Sequence, residues 1–125
     1  MLYTGSVMKS KIDLITAFYD AVDRNDAEAA VSIFSRDAQY ERGTRTFAGI
    51  NAIRDFYANG RVKTILGGTR SFESSDERGN VVTVIGAFVG TYADNSTGSV
   101  QFIDRFEFDG DTVHRRRTDF PGREI

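Results

Sequence analysis

Gly98–Phe120 reads GSVQFIDRFEFDGDTVHRRRTDF, and this stretch decides the fold. On either side of Asp109 and Gly110, residues rich in β-branched and aromatic side chains run in two segments, Gly98–Phe108 and Asp111–Phe120, which read as a β-hairpin. Working backwards, the same composition recurs in Val81–Ala93 and Thr69–Glu77, with Asp94-Asn95 and Gly79-Asn80 at the turns. The second half is therefore a four-stranded meander. The first half has a different period. Within Ser10–Val22, Ile12, Ile15, Phe18, Tyr19 and Val22 recur at three- and four-residue spacing, the pattern of an amphipathic helix. Asn25 and Asp26 then supply a stop and an N-cap for a shorter helix with Ala30, Ile33 and Phe34 on its apolar side. Ala38–Arg42 and Arg45–Ala48 read as a strand pair, and Asn51 caps a third helix carrying Ile53, Phe56 and Tyr57. Helices first and hairpin-linked strands later exclude a doubly wound parallel sheet and predict an α+β fold. The expected form is a cone-shaped roll, a single domain over residues 1–125, with N-terminal helices packed on a strongly curved, mixed but mainly antiparallel sheet.

Composition narrows the function classes. At 125 residues, with 40% apolar and 27% charged side chains, the chain is sized for one packed core. A net charge of −2 gives no broad attraction to nucleic acid or an anionic membrane. No apolar run approaches the roughly 18 residues of a membrane span, so neither nucleic acid nor membrane is an expected partner. The absence of cysteine removes thiolate catalysis and sulfur-ligated zinc. His114 is the single histidine and the carboxylates are scattered, so no metal and no cofactor is expected. Met1–Met8 lack a charged start followed by an apolar run, which predicts a cytoplasmic protein.

Strand parity assigns the faces. A two-residue turn at Asp109-Gly110 sets Phe106 opposite Val113, Asp104 opposite Arg115 and Phe102 opposite Arg117, all on one face. Even turns at the other two hairpins add Thr83, Ile85, Ala87 and Val89, then Arg70, Phe72 and Ser74. A three-residue turn over Asp109–Asp111 brings His114, Arg116 and Thr118 inward instead, and Asp104 keeps its face in both registers. The opposite face collects Val82, Val84, Phe88, Tyr92 and Ile103, apolar enough to predict a homodimer through the outer sheet face.

Asp104 lies among Phe102, Phe106 and Phe108, where a lone carboxylate is costly unless paired or protonated. It is either a desolvated proton-transfer group or half of a cross-strand ion pair with Arg115. Tyr40 shares a strand face with Arg42, and its phenol can donate to a substrate oxygen. The expected catalytic groups are Asp104, Arg115 and Tyr40. Around a small apolar molecule the helices supply Phe18, Tyr19, Phe56 and Tyr57, and the sheet supplies Ile85, Phe102 and Phe106. Arg42, Arg117 and Asp119 are the remaining polar candidates, an inward Arg117 being able to hold a carboxylate or phenolate bidentately.

Four strings, Ala17-Phe18-Tyr19-Asp20-Ala21, Ile33-Phe34-Ser35-Arg36-Asp37-Ala38, Phe47-Ala48-Gly49-Ile50-Asn51-Ala52-Ile53-Arg54 and Asp104-Arg105-Phe106-Glu107-Phe108-Asp109-Gly110-Asp111, resemble the SnoaL-like branch of the nuclear-transport-factor-2-like superfamily. The resemblance covers nearly the whole chain. It implies a conical, dimer-forming fold whose pocket serves isomerases, polyketide cyclases, epoxide hydrolases and dehydratases, and also ligand binders and interaction domains. The steroid isomerase pattern has an Asp base where this chain has Arg42, so that chemistry in that form is not implied. Asp104, Arg115 or Arg117, and Asp119 supply the residue types of the epoxide hydrolase Asp-Arg-Asp relay, in a different order and spacing. The functional expectation is a cofactor-free acid/base enzyme acting on a small, largely apolar organic molecule by isomerisation, cyclisation, dehydration or epoxide opening. The alternative is a non-catalytic ligand-binding or dimeric interaction domain.

Overall fold

The computed structural model describes residues 10–61 and 65–121; Met1–Met8, read above for a leader, lie outside them. Ser10 opens the first helix with a capping box: its hydroxyl accepts from the Asp13 N–H, and the Asp13 carboxylate accepts from the Ser10 N–H. Helix α1 (Lys11–Asp23) buries Ile15, Phe18, Tyr19, Ala21 and Val22, the face its spacing predicts. Asn25 turns the chain with φ 59°, and Asp26 caps α2 (Ala27–Val31) by accepting from the Ala29 N–H at 3.0 Å. Phe34 opens strand β1 (Phe34–Arg42) and does not belong to α2; β2 (Arg45–Ala48) returns against β1. Helix α3 (Ile50–Asp55) starts from Gly49 at φ 89°, where glycine is at ease, and not from Asn51. A single π-type turn, Phe56–Gly60, follows and buries both Phe56 and Tyr57.

Strands β3 (Ile65–Arg78), β4 (Val81–Tyr92), β5 (Thr97–Asp109) and β6 (Thr112–Asp119) form the predicted meander. The sheet order is β2-β1-β6-β5-β4-β3, with β1 parallel to β6 and every other pair antiparallel. The sheet is open, and the helices pack over one face to enclose the core. Gly86 on β4 makes that core possible: an added Cβ would lie 2.7 Å from Cζ of Phe102 and closer still to the Ser71 carbonyl oxygen.

Two turns revise the predicted faces. The β4–β5 loop is odd, with Thr91 opposite Thr97 and Asn95 at φ 69°. Val82 therefore faces Phe106, Val84 faces Asp104 and Gly86 faces Phe102. A one-residue slip inverts a whole strand, so Val82, Val84, Phe88 and Tyr92 are core residues, whereas Thr83, Ile85, Ala87 and Val89 look outward. The outer apolar patch consists of Ile85, Ala87, Val89 and Ile103. In the β5–β6 hairpin, Phe108 pairs with Val113 but Glu107 pairs with Arg115, so His114 is the extra residue of a bulge. Beyond it Phe106 faces Arg116 and Asp104 faces Thr118. Arg116 and Thr118 are the inward residues, and Arg115, Arg117 and His114 are not.

Candidate functional site

Asp104 projects from the middle of β5 into the core and is 1% exposed. Arg116, on the neighbouring strand and 2% exposed, grips it with two parallel bonds, Nε to Oδ1 at 2.9 Å and Nη2 to Oδ2 at 2.7 Å. This fork is the geometry in which arginine holds a carboxylate most firmly. Tyr19 from α1 donates to Oδ2 at 2.5 Å, and the Thr118 hydroxyl donates to Oδ1. The second side of the network runs along β1: Arg42 Nη1 donates to the Tyr40 hydroxyl at 3.0 Å, and Tyr40 donates to Thr118 Oγ1 at 3.1 Å. Arg116 Nη1 donates to the Tyr57 hydroxyl, and its guanidinium lies over the rings of Tyr40 at 4.4 Å and Phe18 at 4.8 Å.

These contacts set the protonation states. Burial pushes the Asp104 pKa up, but the Arg116 charge and the bonds from Arg116, Thr118 and Tyr19 outweigh it and hold the group below the usual carboxylate value. Tyr19, buried and beside that negative charge, is raised well above the ordinary phenol. Tyr57 is pushed up to about 12 by burial, against the pull of Arg116. Tyr40 goes the other way: burial opposes its ionisation, yet Arg116 and Arg42 together bring its pKa below the usual value.

Beside this network is a cavity of about 10 Å³, room for about one water molecule. Arg42, Arg70, Asp104, Arg116 and Thr118 form its polar wall, and Ile65, Phe88, Val100, Phe102 and Phe120 its apolar wall. Of the predicted site residues, Asp104, Arg42 and Phe102 stand at this cavity. Tyr19 and Tyr57 reach it only through the groups they bond. Phe18, Phe56, Phe106 and Tyr40 are core residues behind the wall.

The others are elsewhere. Arg115, expected as the partner of Asp104, is on the outer face, 49% exposed and 3.0 Å from Glu41. Arg117 is 42% exposed and bound to Asp119 at 3.0 Å, so neither residue reaches the cavity. Ile85 is turned outward by the odd β4–β5 loop. A two-residue turn at Asp109-Gly110 leaves Arg116 and Thr118 outward; the bulge turns both inward, the orientation that the alternative register predicts. Arg70, which donates to Asp23 of α1, was correctly placed inward but not recognised as part of a charged wall. Among the described residues there is no group of three His, Asp or Glu side chains that could hold a metal ion, and no helix long and apolar enough to cross a membrane.

Fold and site together define an α+β protein in which helices close one face of an open mixed sheet over an interior charged cluster. The chain belongs to the SnoaL-like domain family, whose family model matches residues 15–115. No curated protein matches its sequence. Solved structures confirm the fold. An NTF2-like protein of unknown function from Burkholderia pseudomallei superposes with TM-score 0.80 at 15% identity, covering 90% of this chain and 92% of that one. A hypothetical protein with a ketosteroid isomerase-like fold from Catenulispora acidiphila, in complex with trimethylamine, gives 0.77 at 16% identity, covering 86% and 84%. TerC, co-crystallised with polyporic acid, gives 0.78 at 20% identity, covering 88% and 90%.

Proposed function

We propose that this chain binds a small, largely apolar organic molecule in the cavity beside Asp104. The observation that carries the proposal is the cavity wall: apolar Ile65, Phe88, Val100 and Phe102 face a few convergent, fully buried polar groups. That is the make-up of a small-molecule site. Binding is favoured over acid/base chemistry at Asp104, because both of its oxygens already accept two hydrogen bonds each. A carboxylate so saturated is a poor base. A ligand larger than water requires the wall to yield, and Phe120, just beyond the end of β6, can swing away without breaking a ladder bond. That TerC, of similar fold, was co-crystallised with polyporic acid is in keeping with this reading.

A second reading, acid/base catalysis of an isomerisation, cyclisation, dehydration or epoxide opening, is favoured by one observation. Tyr40, more acidic than an ordinary phenol, is linked through the Thr118 hydroxyl to Asp104. In that reading Tyr40 is the proton source and Thr118 hands the proton to the cavity. We also propose that the outer sheet face, through Ile85, Ala87, Val89 and Ile103, joins two copies. A monomeric mass at high concentration would overturn that.

The test of the binding reading is an amide chemical-shift titration with benzyl alcohol and benzoate. Saturable shifts at Phe88, Val100 and Phe102, abolished by the cavity-filling Val100→Phe, are expected. If neither probe gives saturable shifts, the pocket is filled by its own aromatic residues and the domain has a structural or interaction role. For the catalytic reading, Tyr40→Phe should abolish turnover of any substrate found while leaving its binding intact.

A further inference from the structure

The interior holds more positive charge than negative. Arg42, Arg61 and Arg116 are buried at 5%, 3% and 2% exposure, and the Arg70 side chain is 10% exposed. Facing them are two carboxylates, Asp104 on Arg116 and Asp23 on Arg70. Four guanidinium groups against two carboxylates leave an excess of two positive charges among the described residues. Arg61 registers the imbalance: burial, and then the Arg70 charge, bring its pKa down to about 10. An isolated charge loses its hydration when buried, which is why buried charges are normally paired.

Arg42 is the member of this set that meets the cavity with bonding capacity to spare. Nη1 is used on the Tyr40 hydroxyl, whereas Nε is buried without a partner and no carboxylate lies within ion-pair distance among the described residues. Arg116 has all three nitrogens engaged, and Arg70 is committed to Asp23. The Nε–Nη2 edge of a guanidinium is a flat two-donor fork that matches a carboxylate. Here the guanidinium lies over two rings, 4.7 Å from the centroid of Phe120 and 5.2 Å from that of Phe56. Stacking offsets only part of a desolvated cation's cost. Neither ring offers Nε a hydrogen-bond acceptor, and it stays unsatisfied.

Resting on the pocket reading above, we infer that the ligand carries an anionic oxygen, a carboxylate in its simplest form, seated on the Nε–Nη2 edge of Arg42. Its apolar body lies against Phe88, Val100 and Phe102. One planar donor edge flanked by rings selects a flat monoanion over a phosphate, which needs donors from several directions. Arg61 is not on the cavity wall, and its charge acts through the field that draws the anion in.

Benzoate and benzyl alcohol present nearly the same body with and without the charge, so their affinities at fixed ionic strength test the assignment. Wild-type protein should bind benzoate about tenfold or more tightly than benzyl alcohol, the worth of a charge-assisted bond. Arg42→Met should erase that preference while retaining benzyl alcohol binding, and Arg42→Lys should keep part of it. Without ligand, Arg42→Met should melt no lower than wild type, because it removes an uncompensated buried charge. Equal or weaker binding of benzoate by wild type, or an undiminished preference in Arg42→Met, overturns the inference and leaves the pocket reading standing. Failure of both probes to bind wild type overturns both.

Discussion

Three consecutive arginines on one strand occupy two different worlds. Arg116 is sealed in the core with both of its forked bonds on Asp104, while Arg115 and Arg117 on either side lie half exposed over Glu41 and Asp119. The residue type is the same, so the difference comes from parity: strand alternation sends the middle residue one way and its neighbours the other. The inner pair is a case in which removing one charge strands the other in the core. The outer pairs are screened by water, and Arg117 has a second carboxylate, Glu41, 3.7 Å away. One residue type thus grips a buried carboxylate in one place and holds exposed, water-screened ion pairs in the next.

The largest effect should come from breaking the inner pair. Arg116→Met leaves Asp104 buried without its cation and is expected to cost about 3–5 kcal/mol in a urea unfolding measurement. The double variant Asp104→Leu/Arg116→Met should recover only part of that loss: an apolar pair replaces an ion pair of little net worth, but the Tyr19 and Thr118 hydroxyls lose their acceptor. The pH dependence has a definite sign. A carboxyl whose folded pKa lies below its unfolded value near 3.8 adds stability above that value and loses it as pH falls further. Wild type should therefore weaken on acidification below about pH 4, in part through Asp104. In Arg116→Met burial is opposed only by the bonds from Thr118 and Tyr19, Asp104 takes up a proton at higher pH, and that part of the acid limb should shrink.

A smaller effect should follow from trimming the network without breaking it. Thr118→Val keeps the shape but removes the donor to Asp104 Oδ1 and the acceptor for the Tyr40 hydroxyl. Left unsatisfied in the core, those groups should cost about 1–3 kcal/mol. A loss below about 0.5 kcal/mol would mean that water enters the cavity and replaces the hydroxyl.

How far the sequence reveals this site depends on what each residue answers to. The Asp26 cap, the apolar helix stripe and the four-stranded meander rest on local spacing, and all were readable. Asp104 was readable as a buried carboxylate because Phe102, Phe106 and Phe108 share its face in either register. Its partner was not, because the extra residue His114 has no compositional mark and shifts everything after it by one. The β4–β5 loop misled in the same way: Asp94-Asn95 looks like a two-residue turn, but Asn95 is the left-handed residue of an odd loop. Half a strand of correct alternation then gave the wrong face for Ile85 and Val89. Arg42 was readable as a site residue from the face it shares with Tyr40, but Arg61, and the lack of a carboxylate partner for either, needed the packed structure itself.

The smallest expected effect tests the bulge most directly. Arg115→Ala and Arg117→Ala each remove an exposed ion pair and should cost no more than about 1 kcal/mol. That cost should shrink further in high salt, where exposed pairs are screened. The cost of Arg116→Met should change little with salt, because no counter-ion reaches a pair buried to this depth. The register without the bulge makes the opposite forecast: Arg115 would be the costly residue and Arg116 the tolerant one. Because the three substitutions sit side by side on one strand, differences in expression or unfolded-state behaviour largely cancel between them. The rank order of the three unfolding free energies, together with which one ignores salt, therefore reports the position of a single extra residue in β6.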